Sequence, residues 1–204
     1  MGKGITNILK DLGVDRVIEG GQTMNPSTDD ILKAVKRVKA KTVYVFPNNK
    51  NIIMAANQAT ELVEDKKIVV IPSKSVPQCI SAMVEFNDKK SAEAIGRVTS
   101  GQLTYAVRDT EIDGIEIKKD DILGMVEGKI VTVGKDIDDV LNRVVSQMVD
   151  EDTEFLNVYY GKEIKKPQAD VMLKALETKY ADDEIEVSFK KGGQPLYYYI
   201  ISAE

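Results

Sequence analysis

Histidine and tryptophan are absent from the 204 residues, and cysteine occurs once, as Cys79. One cysteine excludes an intrachain disulfide and offers a metal a single thiolate. Without histidine the chain forms no Ser-His-Asp triad, no Cys-His pair and no His-ligated zinc, and it lacks the commonest general base at neutral pH. No run of apolar residues approaches the roughly 18 needed for a membrane span, and the N-terminus has no signal-peptide core. Positive charge is also short: 28 Lys and Arg stand against 33 Asp and Glu, a net charge of -5. No basic block is interleaved with aromatics, so nucleic acid is a poor partner. A cytoplasmic chain whose membrane contact is indirect at most is expected, with no metal and no cofactor of its own.

What is present is ordinary for a globular protein, with 43% hydrophobic and 30% charged residues. Apolar runs alternate with helical patterns in the first half. "VDRVIE" (14–19) precedes a helical spacing of Ile31, Leu32, Val35 and Val38. "TVYVF" (42–46) precedes Ile52 to Val63, and "KIVVIP" (67–72) precedes a helix through Ala82, Met83 and Phe86. Three strands alternating with three helices predict a parallel sheet. After a helix near 91–99 the pattern changes to a meander of short strands with turns at "DG", "KKDD" and "EGK". A helix over 136–149, the strand "EFLNVYYG", a helix over 167–180 and the strands "EIEVSF" and "LYYYIIS" complete it. The expected fold is α/β in two lobes, a three-layer parallel-sheet lobe over 1–100 and a mixed-sheet α/β lobe over 101–204.

In a parallel sheet the loops that follow the strands emerge at one edge, where open α/β sheets bind ligands. That edge would carry "GGQTMNPST", "PNNKN" and "PSKSVPQ". Turn and cap chemistry explains each loop singly about as well as binding does. Lys50, Lys74 and Arg108 are candidates for an anionic group. The acidic pairs at 29–30 and 138–139 suit helix N-termini, and no acidic cluster has calcium-loop or catalytic-pair spacing. The runs "YY" (159–160) and "YYY" (197–199) are expected to expose at least one phenol each, since strand residues alternate faces. "MGKG" reads as a flexible glycine pair at a loop or at an added end. Neither Gly-x-Gly-x-x-Gly nor a P-loop is present.

Taken together, "IEGGQTMNPST", "VFPNNKNIIMAANQA", "VVIPSKSVPQCISAM" and "GGQPLYYYIISAE" resemble the C-terminal domain of the ATP-binding subunit of bacterial fatty acid kinase. That family is also called dihydroxyacetone-kinase-like or DAK-phosphatase-like. The resemblance covers essentially the whole chain. It implies a DegV-like fold and a place in a larger protein whose absent N-terminal kinase domain binds ATP and Mg²⁺ and which forms a homodimer. It implies a non-catalytic role here: docking a DegV-like fatty-acid-binding subunit, so that the bound fatty acid becomes an acyl phosphate for phospholipid synthesis. The partner-binding residues expected from loop order are Gln22, Asn25, Ser27, Thr28, Asn48, Asn49, Lys50, Ser73 and Lys74. The alternative is a small-molecule domain that takes a fatty acyl or other anionic ligand in an inter-lobe cleft. An independent phosphatase ranks last, for want of a nucleophile.

Overall fold

The computed structural model describes residues 1–20, 25–86 and 88–204. The chain divides into two compact units: one comprises Met1 and Thr6–Arg97, the other Gly2–Ile5 and Val98–Glu204.

In the first unit, strands β1 (Thr42–Val45) and β2 (Lys67–Val70) pair in parallel, Thr42 opposite Lys67 and Val45 opposite Val70. Helices α2 (Thr28–Arg37) and α3 (Lys50–Glu61) cover one face. There Ile31, Val35, Val43, Ala56, Ala59 and Ile68 form a buried cluster. Tyr44 alternates to the other face, where its ring meets Phe86 edge-on with centroids 4.9 Å apart. Phe86 follows helix α4 (Val76–Val84), which packs against α5 (Asp88–Arg97).

The strand expected at Val14–Glu19 is not formed: residues 14–20 carry no strand. Three of its six residues are charged, unlike "TVYV" and "KIVV", and a strand buried on both faces needs a near-continuous apolar run. Ile18 still packs against the apolar cluster, so the segment contributes contacts without pairing.

In the second unit, six strands run in the order β7-β6-β3-β10-β8-β9. They are β3 (Thr99–Tyr105), β6 (Ile122–Val126), β7 (Lys129–Gly134), β8 (Phe155–Tyr160), β9 (Glu186–Lys191) and β10 (Tyr199–Ala203). β8 and β9 are parallel and the other neighbours antiparallel, the mixed sheet expected from the sequence. Helix α6 (Ile137–Met148) lies on β3, β6 and β7, and α7 (Lys166–Lys179) lies on β9. Val140, Leu141, Val144, Val145 and Met148 of α6 are all buried, the apolar stripe of an amphipathic helix. Two sheet glycines bring α6 close. A Cβ at Gly124 would overlap Val144, and one at Gly101 would overlap the Met148 sulfur.

A separate two-stranded hairpin, β4 (Thr110–Ile112) and β5 (Ile115–Ile117), is inserted between β3 and β6. The turns at Asp113–Gly114 and Glu127–Gly128 have positive φ at both central residues, as type I′ hairpins require.

Two expectations are corrected here. "MGKG" is not a loose end: helix α1 (Lys3–Asp11) starts in it, and the Gly4 and Ile5 amides donate to the Gly192 carbonyl at 2.9 and 3.2 Å. A Cβ on Gly2 or Gly4 would run into the backbone of Lys191–Gln194, so both glycines are required by that close approach. Tyr159 and Tyr160 are both buried, at 2% and 7% exposure, because β8 lies inside the sheet with both faces covered. Burial raises the Tyr159 phenol well above its usual range, with the Glu204 charge adding to the effect.

Candidate functional site

The strand ends of the first unit are built by local rules. β1 runs out through Phe46 and Pro47 to Asn48, which takes a left-handed backbone (φ 57°) that asparagine tolerates better than most residues. Asn49 caps α3, its side-chain oxygen accepting from the Asn51 amide at 2.8 Å. β2 runs out through Ile71, whose amide donates to Val45 at 2.9 Å and carries the parallel pairing one step beyond the strand. Ser75 caps α4 by accepting from the Gln78 amide at 3.2 Å, and Pro77 sits in the first turn, where its missing N–H costs nothing.

The two loops are fastened by Asn48 and Ser73. The Asn48 amide donates to the Ser73 hydroxyl at 3.2 Å, and that hydroxyl donates to the Asn48 side-chain oxygen at 2.7 Å. Ser73 is fully buried. Reciprocal bonds of this kind engage it both as donor and as acceptor and leave it nothing for a partner. Beside them lies Cys79, 2% exposed. Burial pushes its thiol up to about 12, against the opposing effect of a hydrogen bond with Asn48. A buried thiol so far from ionisation is no nucleophile. The buried Gln78 side chain accepts from the Lys74 amide at 2.7 Å and holds the second loop from below.

The first loop is fastened elsewhere. Ser27 and Asp30 form a capping box at the start of α2: the Asp30 amide donates to Ser27 Oγ at 3.2 Å, and the Ser27 amide donates to Asp30 at 3.0 Å. Hydrogen bonds from Ser27 hold the Asp30 carboxyl below its ordinary range. The Thr28 hydroxyl donates to Gln58 at 3.1 Å, in the third turn of α3. That turn is about 12 Å along the helix from Lys50 at 1.5 Å per residue. Gln22 lies outside the described residues.

Of the expected residues, the structure thus joins Asn48 directly to Ser73 and sets Asn49, Lys50 and Lys74 beside them. Ser27 and Thr28 are engaged with α2 and α3. Asn25, Ser27, Lys50 and Lys74 are exposed, and Asn49 is half-buried. Arg108, the third candidate cation, belongs to the other unit, at the foot of the β4–β5 hairpin. Two residues that fasten the site, Gln78 and Cys79, are not among the expected ones. The Ser75-x-x-Gln78 spacing is a capping-box signature and marks Gln78 in the sequence. Nothing local marks Cys79.

Chemically, this is a braced rim with two lysines exposed near the N-termini of α3 and α4. Its polar side chains are engaged with one another and its thiol is shielded. Among the described residues no group of three or more Cys, Asp or Glu side chains is placed to hold a metal ion. None of the helices among them is long and apolar enough to cross a membrane.

All of residues 1–204 match the FakA-like C-terminal family, the C-terminal part of fatty acid kinase proteins. Protein YloV of Bacillus subtilis is 47% identical over 212 aligned residues, and a protein of Staphylococcus aureus strain USA300 is 45% identical over the same length. In each case the alignment takes in 100% of this chain and 38% of the relative, so the chain spans well under half the length of the relatives it matches. Among solved structures, DegV of Bacillus subtilis, a fatty acid binding protein, has a TM-score of 0.60 at 12% identity, covering 88% of this chain and 77% of that one. A DegV lipid binding protein of Thermotoga maritima has a TM-score of 0.57 at 14% identity, covering 98% and 82%. The dihydroxyacetone kinase of C. freundii, solved with AMP-PNP and Mg²⁺, has a TM-score of 0.55 at 10% identity, covering 87% of this chain and 42% of that one. These likenesses establish a DegV-like mixed α/β fold.

Proposed function

Because the chain belongs to the FakA-like C-terminal family of fatty acid kinase proteins, we propose that it is the docking part of a larger kinase. It holds a DegV-like fatty-acid-binding subunit so that an ATP-binding domain elsewhere in the protein can phosphorylate the bound fatty acid. The product would be an acyl phosphate for phospholipid synthesis. On this reading the chain itself is non-catalytic, ATP and Mg²⁺ bind outside it, and the full-length protein works in the cytoplasm as a homodimer.

The observation that carries the reading is the family match along the whole chain. The state of the rim agrees with it. Asn48 and Ser73 are occupied with each other and Cys79 is un-ionised, which suits a rigid surface better than a reaction centre. Lys50, Lys74, Asn25 and Asn49 are the side chains left to meet a partner, while Asn48, Ser73, Ser27 and Thr28 serve as braces.

The test is calorimetric titration of the purified chain with the cognate fatty-acid-binding subunit, with and without lipid. Saturable binding is expected. A Lys50→Glu, Lys74→Glu double variant should weaken it by about 10-fold or more, the range for two contact charges at an interface rim and core. Supplied with MgATP and the lipid-loaded carrier, the chain alone should form no acyl phosphate and the full-length protein should form it. Absence of binding between two folded proteins would overturn the docking role.

A second reading is favoured by the fold's own relatives, since the DegV structures it resembles are described as lipid or fatty acid binding proteins. An anionic ligand would then lie at the Lys50 and Lys74 rim. Native mass spectrometry of the purified chain would detect a retained acyl ligand.

A further inference from the structure

β3 and β6 are adjacent antiparallel strands, with Tyr105 opposite Ile122. Two residues can close such a pair, yet here residues 106–121 intervene and build the β4–β5 arm. The foot of the arm is locked. The Ala106 amide donates to Asp121 at 2.9 Å, and the Asp120 amide donates back to Ala106 at 2.8 Å. Asp121 is buried, accepts from the Lys118 amide at 2.7 Å and is ion-paired with Lys135. The Lys135 contact, followed by the Lys118 bond, holds its carboxyl below the ordinary range. Ile117 is fully buried and pins the arm from below.

Toward the tip the character changes. Thr110, Ile112, Ile115 and Ile117 share one face, and Glu111 stands directly opposite Glu116 on the other. Like charges in that position oppose pairing. Lys118 offsets Glu116 through an ion pair, but Glu111 and Asp113 lie outside the ion pairs formed among the described residues. Apolar side chains stand out between the charges: Val107 is 72% exposed and Ile112 41%. The type I′ turn fixes the tip in advance, which lowers the ordering cost of an encounter.

We propose that the β4–β5 arm is a second docking element, and that its occupant is a protein surface with basic side chains around an apolar seat. The acidic tip repels nucleic acid and anionic membranes. A second copy of this chain is a poor occupant too, because it carries the same acidic arm and a net charge of -5. A basic surface answers Glu111 and Asp113, and an apolar seat answers Ile112. Such complementarity sets which partner is accepted and in what orientation. The choice of partner rests on the docking reading above.

The experiment is titration of the chain with the DegV-like carrier protein, once in low salt and once in high salt. A Glu111→Lys, Asp113→Lys variant should raise Kd by about 10-fold and flatten the salt dependence. Ile112→Ser should weaken binding several-fold at both salts, and circular dichroism checks that each variant is folded. Unchanged Kd for both variants, with the parent chain binding, would overturn the arm and leave the docking role standing. Failure of the parent chain to bind would remove both.

Discussion

At the scale of single residues, Cys79 makes the sharpest statement. Its thiol ionises near 9.0 when free and near 12 in the fold. Below pH 9 both folded and unfolded chains keep the proton and the residue contributes nothing to pH dependence. Between about 9 and 12 the unfolded chain loses the proton while the folded chain keeps it. The unfolded state then binds fewer protons, so stability falls as pH rises, with a slope approaching about 1.4 kcal/mol per pH unit. Urea titrations of the parent and Cys79→Ala from pH 8 to 11 isolate this effect, because the buried tyrosines contribute to both. Parallel curves would show that the thiol ionises freely. This behaviour is illegible in the sequence, where "PQCISAM" shows only a cysteine on a helix. Its surroundings come from Asn48, 31 positions earlier in the chain. Asn49 and Ser75, by contrast, cap the helices that follow them, and such short-range chemistry reads directly from the residue types.

At the scale of elements, glycines decide how closely helix and sheet approach. Gly124→Ala would drive a methyl into Val144 and Thr132, both stiff at χ1, and should cost about 1–3 kcal/mol. Gly101→Ala should cost less, because its neighbour Met148 is flexible. Gly96→Ala, within α5 and facing open space, should stabilise by about 0.5–1 kcal/mol. Denaturant midpoints of the three variants should follow that order, and equal effects would mean that α6 does not sit flush on the sheet. The elements themselves are largely legible: the meander and its turns, the α6 stripe and the helix beginning at Lys166–Pro167 all follow from period and punctuation. Two are not. "VDRVIE" has the length of a strand but too many charges for an interior one. α1 is hidden by glycines of low helix propensity, although Ile5, Ile8, Leu9 and Leu12 fall at helical spacing.

At the scale of the whole molecule, the units differ in how much they bury. The main cluster of the second unit holds 19 buried residues and that of the first holds 6. Local opening should therefore cost less in the first. Hydrogen exchange is expected to be faster for the amides of β1 and β2 than for those of β3, β8 and β10, and equal protection would show a single cooperative unit. That Gly2–Ile5 group with Val98–Glu204 is not readable from the sequence. Their link is the Gly4–Gly192 contact, and no periodicity reports a pairing across 188 positions.

The strand order has a consequence for synthesis on the ribosome. β10 is the last strand made, yet it lies between β3 and β8. Until Tyr199–Ala203 emerges, the nascent sheet is two unjoined pieces, β7-β6-β3 and β8-β9, each with an open edge. The first unit has every strand and helix it needs once Arg97 is clear of the exit tunnel, whereas the second waits for its final few codons. A nascent chain stalled shortly before Tyr199 would carry one finished half and one aggregation-prone half.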